Sequence, residues 1–327
     1  MDEKTKSAHE SVRTFFCFSM LMYCGIVALC YNSFKVVIRV GKRKRVLLAA
    51  AAGLLAALVI WIAWGNSALE LNIYTITGSR LPKAFDGYRI AHISDLHNAE
   101  MGKENEDLLD MLRIAAPDMI VITGDLIDSR HTQVEIALRF IQKAVTIAPC
   151  YYVTGNHEAR VAAYDELKAG MTAAGVTILE DRCTEITVAG ESICLIGVND
   201  PSFRTDYLFG DAEMEMRSKL AAIHRNSEAF TILLSHRPEL FEVYADQEID
   251  LVFSGHAHGG QFRLPFIGGV VAPNQGLFPE YDAGIYTDGA TNMVVSRGVG
   301  NSIIPFRFNN RPEVILIELR TTGTQDG

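Results

Sequence analysis

The chain has 327 residues, 49% of them apolar and 21% charged, which excludes a disordered protein and a disulfide-stapled miniature. Its formal charge of −9 is unevenly divided: residues 1–65 hold nine Lys/Arg against three Asp/Glu, and residues 66–327 hold 21 against 36. An acidic body of that size is a poor counterion for DNA or RNA, so nucleic-acid binding through a basic surface is disfavoured.

Two apolar runs come first. Val46–Trp64 is nineteen residues without a charge, preceded by Lys42-Arg43-Lys44-Arg45 and ending in Trp61 and Trp64. A helix rising about 1.5 Å per residue over that length matches a hydrocarbon core of about 30 Å. Phe15–Tyr31 is shorter and is interrupted by Ser19, Tyr23 and Gly25, so it reads as a second span or as a buried or interfacial helix. A cleaved signal peptide is not expected, because no small-x-small site follows the apolar run. The positive-inside rule keeps Lys35–Arg45 in the cytoplasm and sends the chain after Trp64 to the outer side. Residues 1–65 are therefore expected to anchor the chain in a cell membrane, with one soluble extracytoplasmic domain over 66–327.

Beyond Gly65 the pattern is that of a mixed α/β domain. Strands are predicted at Leu71–Thr77, Tyr88–Ser94, Met119–Thr123, Tyr151–Thr154, Phe230–Ser235 and Leu251–Ser254. Helices are predicted at Asn105–Ala116, Thr132–Val145 and Asp211–His224, and a hairpin at Glu185–Gly197 turning at Ala189-Gly190. The tail from Gly284 to Leu319 alternates and reads as mostly strand. Cys17, Cys24 and Cys30 lie in the first apolar stretch, and Cys150, Cys183 and Cys194 are scattered without a CxxC pair. That set makes neither a disulfide framework nor a zinc-thiolate site, and the body cysteines read as small buried hydrophobes.

Each strongly polar cluster follows a short buried strand. YRIAHIS runs into Asp95-Leu96-His97, MIVIT into Gly124-Asp125, and YYVT into Gly155-Asn156-His157. FTILLS runs into His236, and LVFS into Gly255-His256-Ala257-His258. Sites in open α/β sheets form outside the carboxyl ends of strands, so these five strand ends are expected to converge. The set contains two aspartates, one asparagine and five of the eight histidines beyond the anchor. Carboxylate oxygen with imidazole nitrogen suits Mn²⁺, Fe or Zn²⁺ rather than Mg²⁺ or Ca²⁺. Two ions about 3.5–4 Å apart can lower the pKa of a bridging water and clamp both ends of a phosphoryl displacement.

The ordered blocks Asp95-x-His97, Gly124-Asp125, Gly155-Asn156-His157-Glu158, His236 and Gly255-His256-x-His258 resemble the calcineurin-like metallophosphoesterases over residues about 72–320. His258-Gly259-Gly260-Gln261, Ser296-Arg297-Gly298 and Arg311-Pro312-Glu313 resemble the bacterial membrane-anchored branch, some of whose members hydrolyse the pyrophosphate bond of UDP-diacylglucosamine. The resemblance implies a four-layer α/β/β/α sandwich with the site at one edge. It further implies two divalent ions, Mn²⁺ first and Fe or Zn²⁺ next. Asp95, His97 and His258 would then bind the first ion, Asn156, His236 and His256 the second, and Asp125 would bridge them. His157 would be the non-ligand histidine that stabilises the transferring phosphoryl group or protonates the leaving oxygen. Arg237, following a ligand, is the first choice among Arg160, Arg237 and Arg297 for meeting a substrate phosphate. His92 is expected to be structural, His131 and His224 solvated helix-end residues, and Glu158 either orients His157 or caps a helix.

The expected function is hydrolysis of a phosphodiester or pyrophosphate, with a lipid-linked or envelope substrate suggested by the anchor and the bilayer as its standing partner. The alternatives are a phosphomonoesterase (protein phosphatase or nucleotidase) and a non-catalytic metal-stabilised scaffold.

Overall fold

A computed structural model describes residues 41–203, 212–223, 228–301 and 304–322. The candidate span Phe15–Tyr31 and His224 lie outside the described residues. The chain divides into two compact units, Met1–Trp61 and Ile62–Gly327. Helix α1, Lys42–Ser67, has 26 residues and no buried side chain, and is long and apolar enough to cross a membrane.

The second unit is built on two six-stranded sheets. In the first, β1 (Glu70–Gly78), β16 (Glu313–Thr321), β2 (Arg89–Ile93), β3 (Met119–Thr123), β4 (Cys150–Val153) and β5 (Thr177–Ile178) lie side by side in that order. All neighbouring pairs are parallel except β16 with β2. The second has the order β14 (Gly284–Asp288), β15 (Thr291–Val295), β9 (Leu251–Ser254), β8 (Thr231–Leu234), β7 (Glu191–Gly197) and β6 (Arg182–Val188). Here the four inner strands are parallel and the two edge strands antiparallel to them. Parallel strands covered on both faces read as unbroken apolar runs rather than alternations, which is why β3 and β9 are buried at every position.

Three apolar clusters fill the spaces. One lies between the first sheet and helices α2 (Glu106–Ala115), α3 (Val134–Ala144) and α4 (Tyr164–Ala174). A second joins Ile90, Met119, Val121 and Ile315 of the first sheet to Leu195, Ile232 and Phe253 of the other. The third sets the second sheet against α5 (Ala212–Ile223) and α6 (Phe241–Asp246).

Several elements differ from expectation. Helix α4 was not anticipated: its apolar positions are only Tyr164, Leu167 and Met171, and it stops at Gly175 with φ 95°. Helix α6 and the two small hairpins β10–β11 (Arg263–Leu264, Gly268–Gly269) and β12–β13 (Val271–Ala272, Gly276–Leu277) also carry little periodic signal. The tail is not continuous strand, because residues 296–312 leave the sheet between β15 and β16. They are tied down by side chains instead: the buried Arg307 guanidinium donates to the carbonyls of Arg297 (2.6 Å) and Gly300 (2.5 Å).

Candidate metal centre

The carboxyl ends of β2, β3 and β4 in one sheet meet those of β8 and β9 in the other. The loops leaving them are laced together by the backbone: Asp95 N–H donates to Gly124 O (3.1 Å), His97 N–H to Asp125 O (2.9 Å) and Gly255 N–H to His236 O (3.3 Å). Turning so sharply places Asp95, His97, Asp125, His256 and His258 in the left-handed region, at φ 53°, 45°, 52°, 65° and 48°. Such backbone is costly for non-glycine residues and gathers at functional sites. Gly124, at φ 85°, also approaches the backbone of Gly155 too closely for any side chain.

The convergence forms three overlapping groups of buried ligating atoms: Asp95–His97–His258, Asp125–His236–His256 and His97–Asp125–His157. The first two contain six of the seven residues expected to bind metal. Asp125 links them, with its Oδ2 3.3 Å from His236 Nε2 and 3.5 Å from His97 Nε2. The seventh, Asn156, is buried, and its Oδ1 accepts no hydrogen bond among the described residues. A buried amide oxygen without a partner costs free energy unless something else satisfies it, and a hard cation does so. The donor set of carboxylate, amide oxygen and imidazole nitrogen therefore fits divalent metal.

Hydrogen bonds at the far ring nitrogens distinguish His236, His157 and His256. His236 Nδ1 lies 2.6 Å from Thr123 O, which can only accept, so Nδ1 carries a proton; burial acts to lower the ring but Asp125 and Asp95 raise it to about 10, so Nε2 would offer its lone pair to an ion on release of a second proton. His157 is opposite: its Nδ1 accepts the Ser129 backbone N–H at 3.0 Å, so the neutral ring carries its proton on Nε2, 4.0 Å from Asp125 Oδ2. Burial pushes His157 down to about 4 against the pull of Asp125, keeping it neutral near pH 7. His256 Nε2 receives Arg237 Nη1 at 3.0 Å, which by the same rule puts the neutral ring's proton on Nδ1, 3.2 Å from His236 Nε2; an ion held at Nδ1 would require Nε2 to take that proton and release Arg237. Burial acts to raise Asp95 and Asp125, but the surrounding imidazoles hold both carboxyls below their usual range.

Four contributions were missed or left open by the sequence. Glu158 is buried and accepts N–H donors from Gly155 (2.8 Å), Asp125 (2.9 Å) and Ile127 (3.3 Å), so it neither orients His157 directly nor caps a helix. It stitches the β3 loop to the β4 loop; burial and the Asp125 charge raise it to about 7. Asp128 has its Oδ2 3.9 Å from His97 Nδ1. Burial would raise that carboxyl, but hydrogen bonds from Arg130 hold it at about 2. Ser129 fixes His157 as described. Asp200 takes the guanidinium of Arg237 in a fork, Nε–Oδ2 at 2.5 Å and Nη2–Oδ1 at 2.9 Å.

Arg237, expected to meet a substrate phosphate, is buried with its guanidinium against Asp200, Ser202 and His256. Arg297 is likewise committed, to Glu70 at 2.9 Å and Glu313 at 2.8 Å. Arg160 is exposed and close enough to His157 to lower its pKa. His92 is structural as expected: Nε2 is 2.8 Å from Thr123 Oγ1 and the ring packs edge-on against Phe253.

Comparison with known proteins places this geometry. The chain is 32% identical over 262 residues to the uncharacterized metallophosphoesterase YkuE of Bacillus subtilis, covering 78% of the chain and 87% of that protein. It is 28% identical over 242 residues to the phosphodiesterase YaeI of Escherichia coli, covering 71% and 82%. A transmembrane protein with metallophosphoesterase domain from Bos taurus is 29% identical over 253 residues, covering 74% of the chain and 55% of the relative. The model of the calcineurin-like phosphoesterase family matches residues 88–260, a span that contains every strand end from Asp95 to His258. With its matched segment and its converging carboxylates and imidazoles coinciding, the chain is a metallophosphoesterase of the calcineurin-like family.

Proposed function

We propose that the protein is a membrane-anchored phosphohydrolase that holds two divalent ions and cleaves a phosphodiester or pyrophosphate in a lipid-linked or envelope substrate. The observation that carries the two-ion reading is Asp125: one carboxylate oxygen faces His97 of the first group and His236 of the second. In this reading Asp95, His97 and His258 hold one ion, and Asn156, His236 and His256 hold the other. Two ions between them supply an activated water and charge neutralisation at the phosphoryl group. Mn²⁺ is the first choice for this donor set, ahead of Fe and Zn²⁺.

The tautomer of His157 favours one of the two roles open to it. With Nδ1 engaged by Ser129 N–H, Nε2–H is a hydrogen-bond donor that has no second proton to relay. We assign it to stabilising the transferring phosphoryl oxygens, with the exposed Arg160, whose charge reaches His157, as a further cation for them.

The apolar helix supports anchoring, and the basic residues before it support an extracytoplasmic domain. A cytoplasmic UDP-lipid substrate does not suit that topology; a phospholipid head group or envelope polymer does. The relative named a phosphodiesterase favours diester over monoester.

The test is hydrolysis by the metal-free full chain in detergent, before and after Mn²⁺, with a chromogenic phosphodiester and its monoester side by side. Metal-dependent cleavage favouring the diester is expected; preference for the monoester would instead make the protein a phosphatase. His157→Ala is expected to lower turnover at least about 100-fold while two ions remain bound, in line with loss of one transition-state donor. Loss of an ion with the activity would make His157 a ligand.

A further inference from the structure

The stretch that follows the metal centre, Leu264 to Pro279, is sixteen residues without an ionisable group, in a domain that is otherwise strongly acidic. It folds into the two small hairpins and, Ala272 apart, leaves its larger apolar side chains at or near the surface. Phe266 is fully exposed at 109%, Leu277 is 70% exposed and Phe278 62%, with Leu264 and Ile267 also at the surface. The hairpins abut: Val270 N–H donates to Phe262 O and Phe278 N–H to Val270 O, both at 2.8 Å. Phe306 extends the patch, its ring 5.4 Å from that of Phe262. Phe266 and Phe278 both sit in left-handed backbone, φ 67° and 55°, which bulky residues rarely adopt. The fold thus spends conformational energy to hold aromatic rings outward. Contiguous exposed apolar surface of this kind marks an interaction site.

The chain itself identifies what covers it. Trp64 ends the apolar run of α1, and two residues later Asn66 exchanges hydrogen bonds with the backbone of Arg307, Nδ2 to O at 2.9 Å and Oδ1 from N–H at 2.7 Å. Arg307 is the neighbour of Phe306. Arg311 reinforces the contact, its guanidinium 5.0 Å from the Trp64 ring centroid. The patch therefore begins one residue from the point where the chain leaves its apolar helix. A body rich in carboxylates is repelled by anionic lipid, so its contact with a bilayer has to be uncharged and apolar, as this stretch is.

We propose that the two hairpins and Phe306 form a docking surface for the same lipid bilayer that α1 crosses, inserting Phe266, Ile267, Leu277 and Phe278 at the headgroup–acyl boundary. This rests on reading α1 as a span and is independent of the chemistry proposed above. Docking here sets the metal centre beside the headgroups. Gln261, three residues after His258, donates its amide to Phe306 O (2.7 Å) and Ile304 O (3.1 Å), bracing patch to site.

The test uses the full chain in phospholipid vesicles, with the photoreactive residue p-benzoylphenylalanine placed singly at Phe266, Phe278 or, as a control, Ile114, which is 77% exposed on α2. All three positions are at the surface, so folding is not at stake. After irradiation, mass spectrometry is expected to find phospholipid adducts at 266 and 278 at least tenfold above position 114. Equal adduct levels at the three positions would overturn the inference, as would crosslinks from 266 or 278 to a second copy or to another protein. Release of the chain from vesicles by an alkaline wash would remove the span, and the proposal with it, without bearing on phosphoester hydrolysis.

Discussion

Asp200 and Arg237 test how the site is held. Both side chains are almost wholly buried, 2% and 6% exposed, and are joined by two hydrogen bonds of 2.5 and 2.9 Å. Asp200→Asn leaves the guanidinium buried with one carboxylate, Glu239 at 3.3 Å. Breaking a buried pair from one side costs about 3–5 kcal/mol, and the residual Glu239 contact puts the expectation at about 3. In a domain of this size that lowers the melting temperature by about 6–12 °C. Asp200→Leu with Arg237→Met removes both charges and is expected to recover to within about 1 kcal/mol of the parent. The assay is thermal unfolding of the full chain in one detergent with chelator present, so that ion binding does not contribute. Burial raises the Asp200 carboxyl but Arg237 outweighs it and holds it below its usual value. A depressed carboxyl stabilises above the unfolded pKa, about 4, and loses that contribution as pH falls through the folded value. The gap between parent and Asp200→Asn should therefore be full at pH 6 and narrow below about pH 4. A loss under about 1 kcal/mol from Asp200→Asn, or a double variant whose losses add, would refute the buried-pair argument.

Three further outcomes follow from particular contacts. Gly255→Ala brings a methyl group into Ser94 Oγ and Asp95 Oδ2, so chelator competition should find metal affinity about 10–100-fold weaker; unchanged affinity would mean Asp95 is not held for an ion. Glu158→Ala strands three buried N–H donors and should cost about 3 kcal/mol in denaturant unfolding, against about 1 for Glu158→Gln, which keeps an acceptor for two of them. Equal losses would place the effect elsewhere. Iodoacetamide at pH 8 should alkylate exposed Cys183 in the folded protein and spare Cys150, which burial pushes up to about 12, until denaturant is added; peptide mass spectrometry reads the difference.

What could be read from the amino acids alone was the chemistry of the strand ends. MIVIT and LVFS are too apolar and too short to be anything but doubly covered strands, and a Gly-Asp or Gly-His-x-His directly after such a run has no packing purpose. Helix α4 was hidden because Lys168, Ala169 and Gly170 dilute its apolar face; Gly170 is there for close approach to Leu138 of α3, a contact with no local trace. Asp200 was hidden for a similar reason. It meets Arg237 across 37 residues, and neither residue's neighbours advertise the other.

The deeper limit concerns protonation. His157 and His236 are both strand-end histidines, equally suited by residue type to bind an ion. Their difference lies in one backbone atom each: Thr123 offers a carbonyl to Nδ1 of His236, and Ser129 an N–H to Nδ1 of His157. A carbonyl draws the proton to Nδ1 and leaves Nε2 a lone pair; an N–H drives the proton to Nε2 and makes it a donor. In the roles proposed for them above, ligand and phosphoryl-stabilising donor are told apart by how the β3 loop presents its peptide groups. Glu158, by accepting two N–H groups of that loop, those of Asp125 and Ile127, and one of the β4 loop, that of Gly155, sets the orientation that distinguishes them.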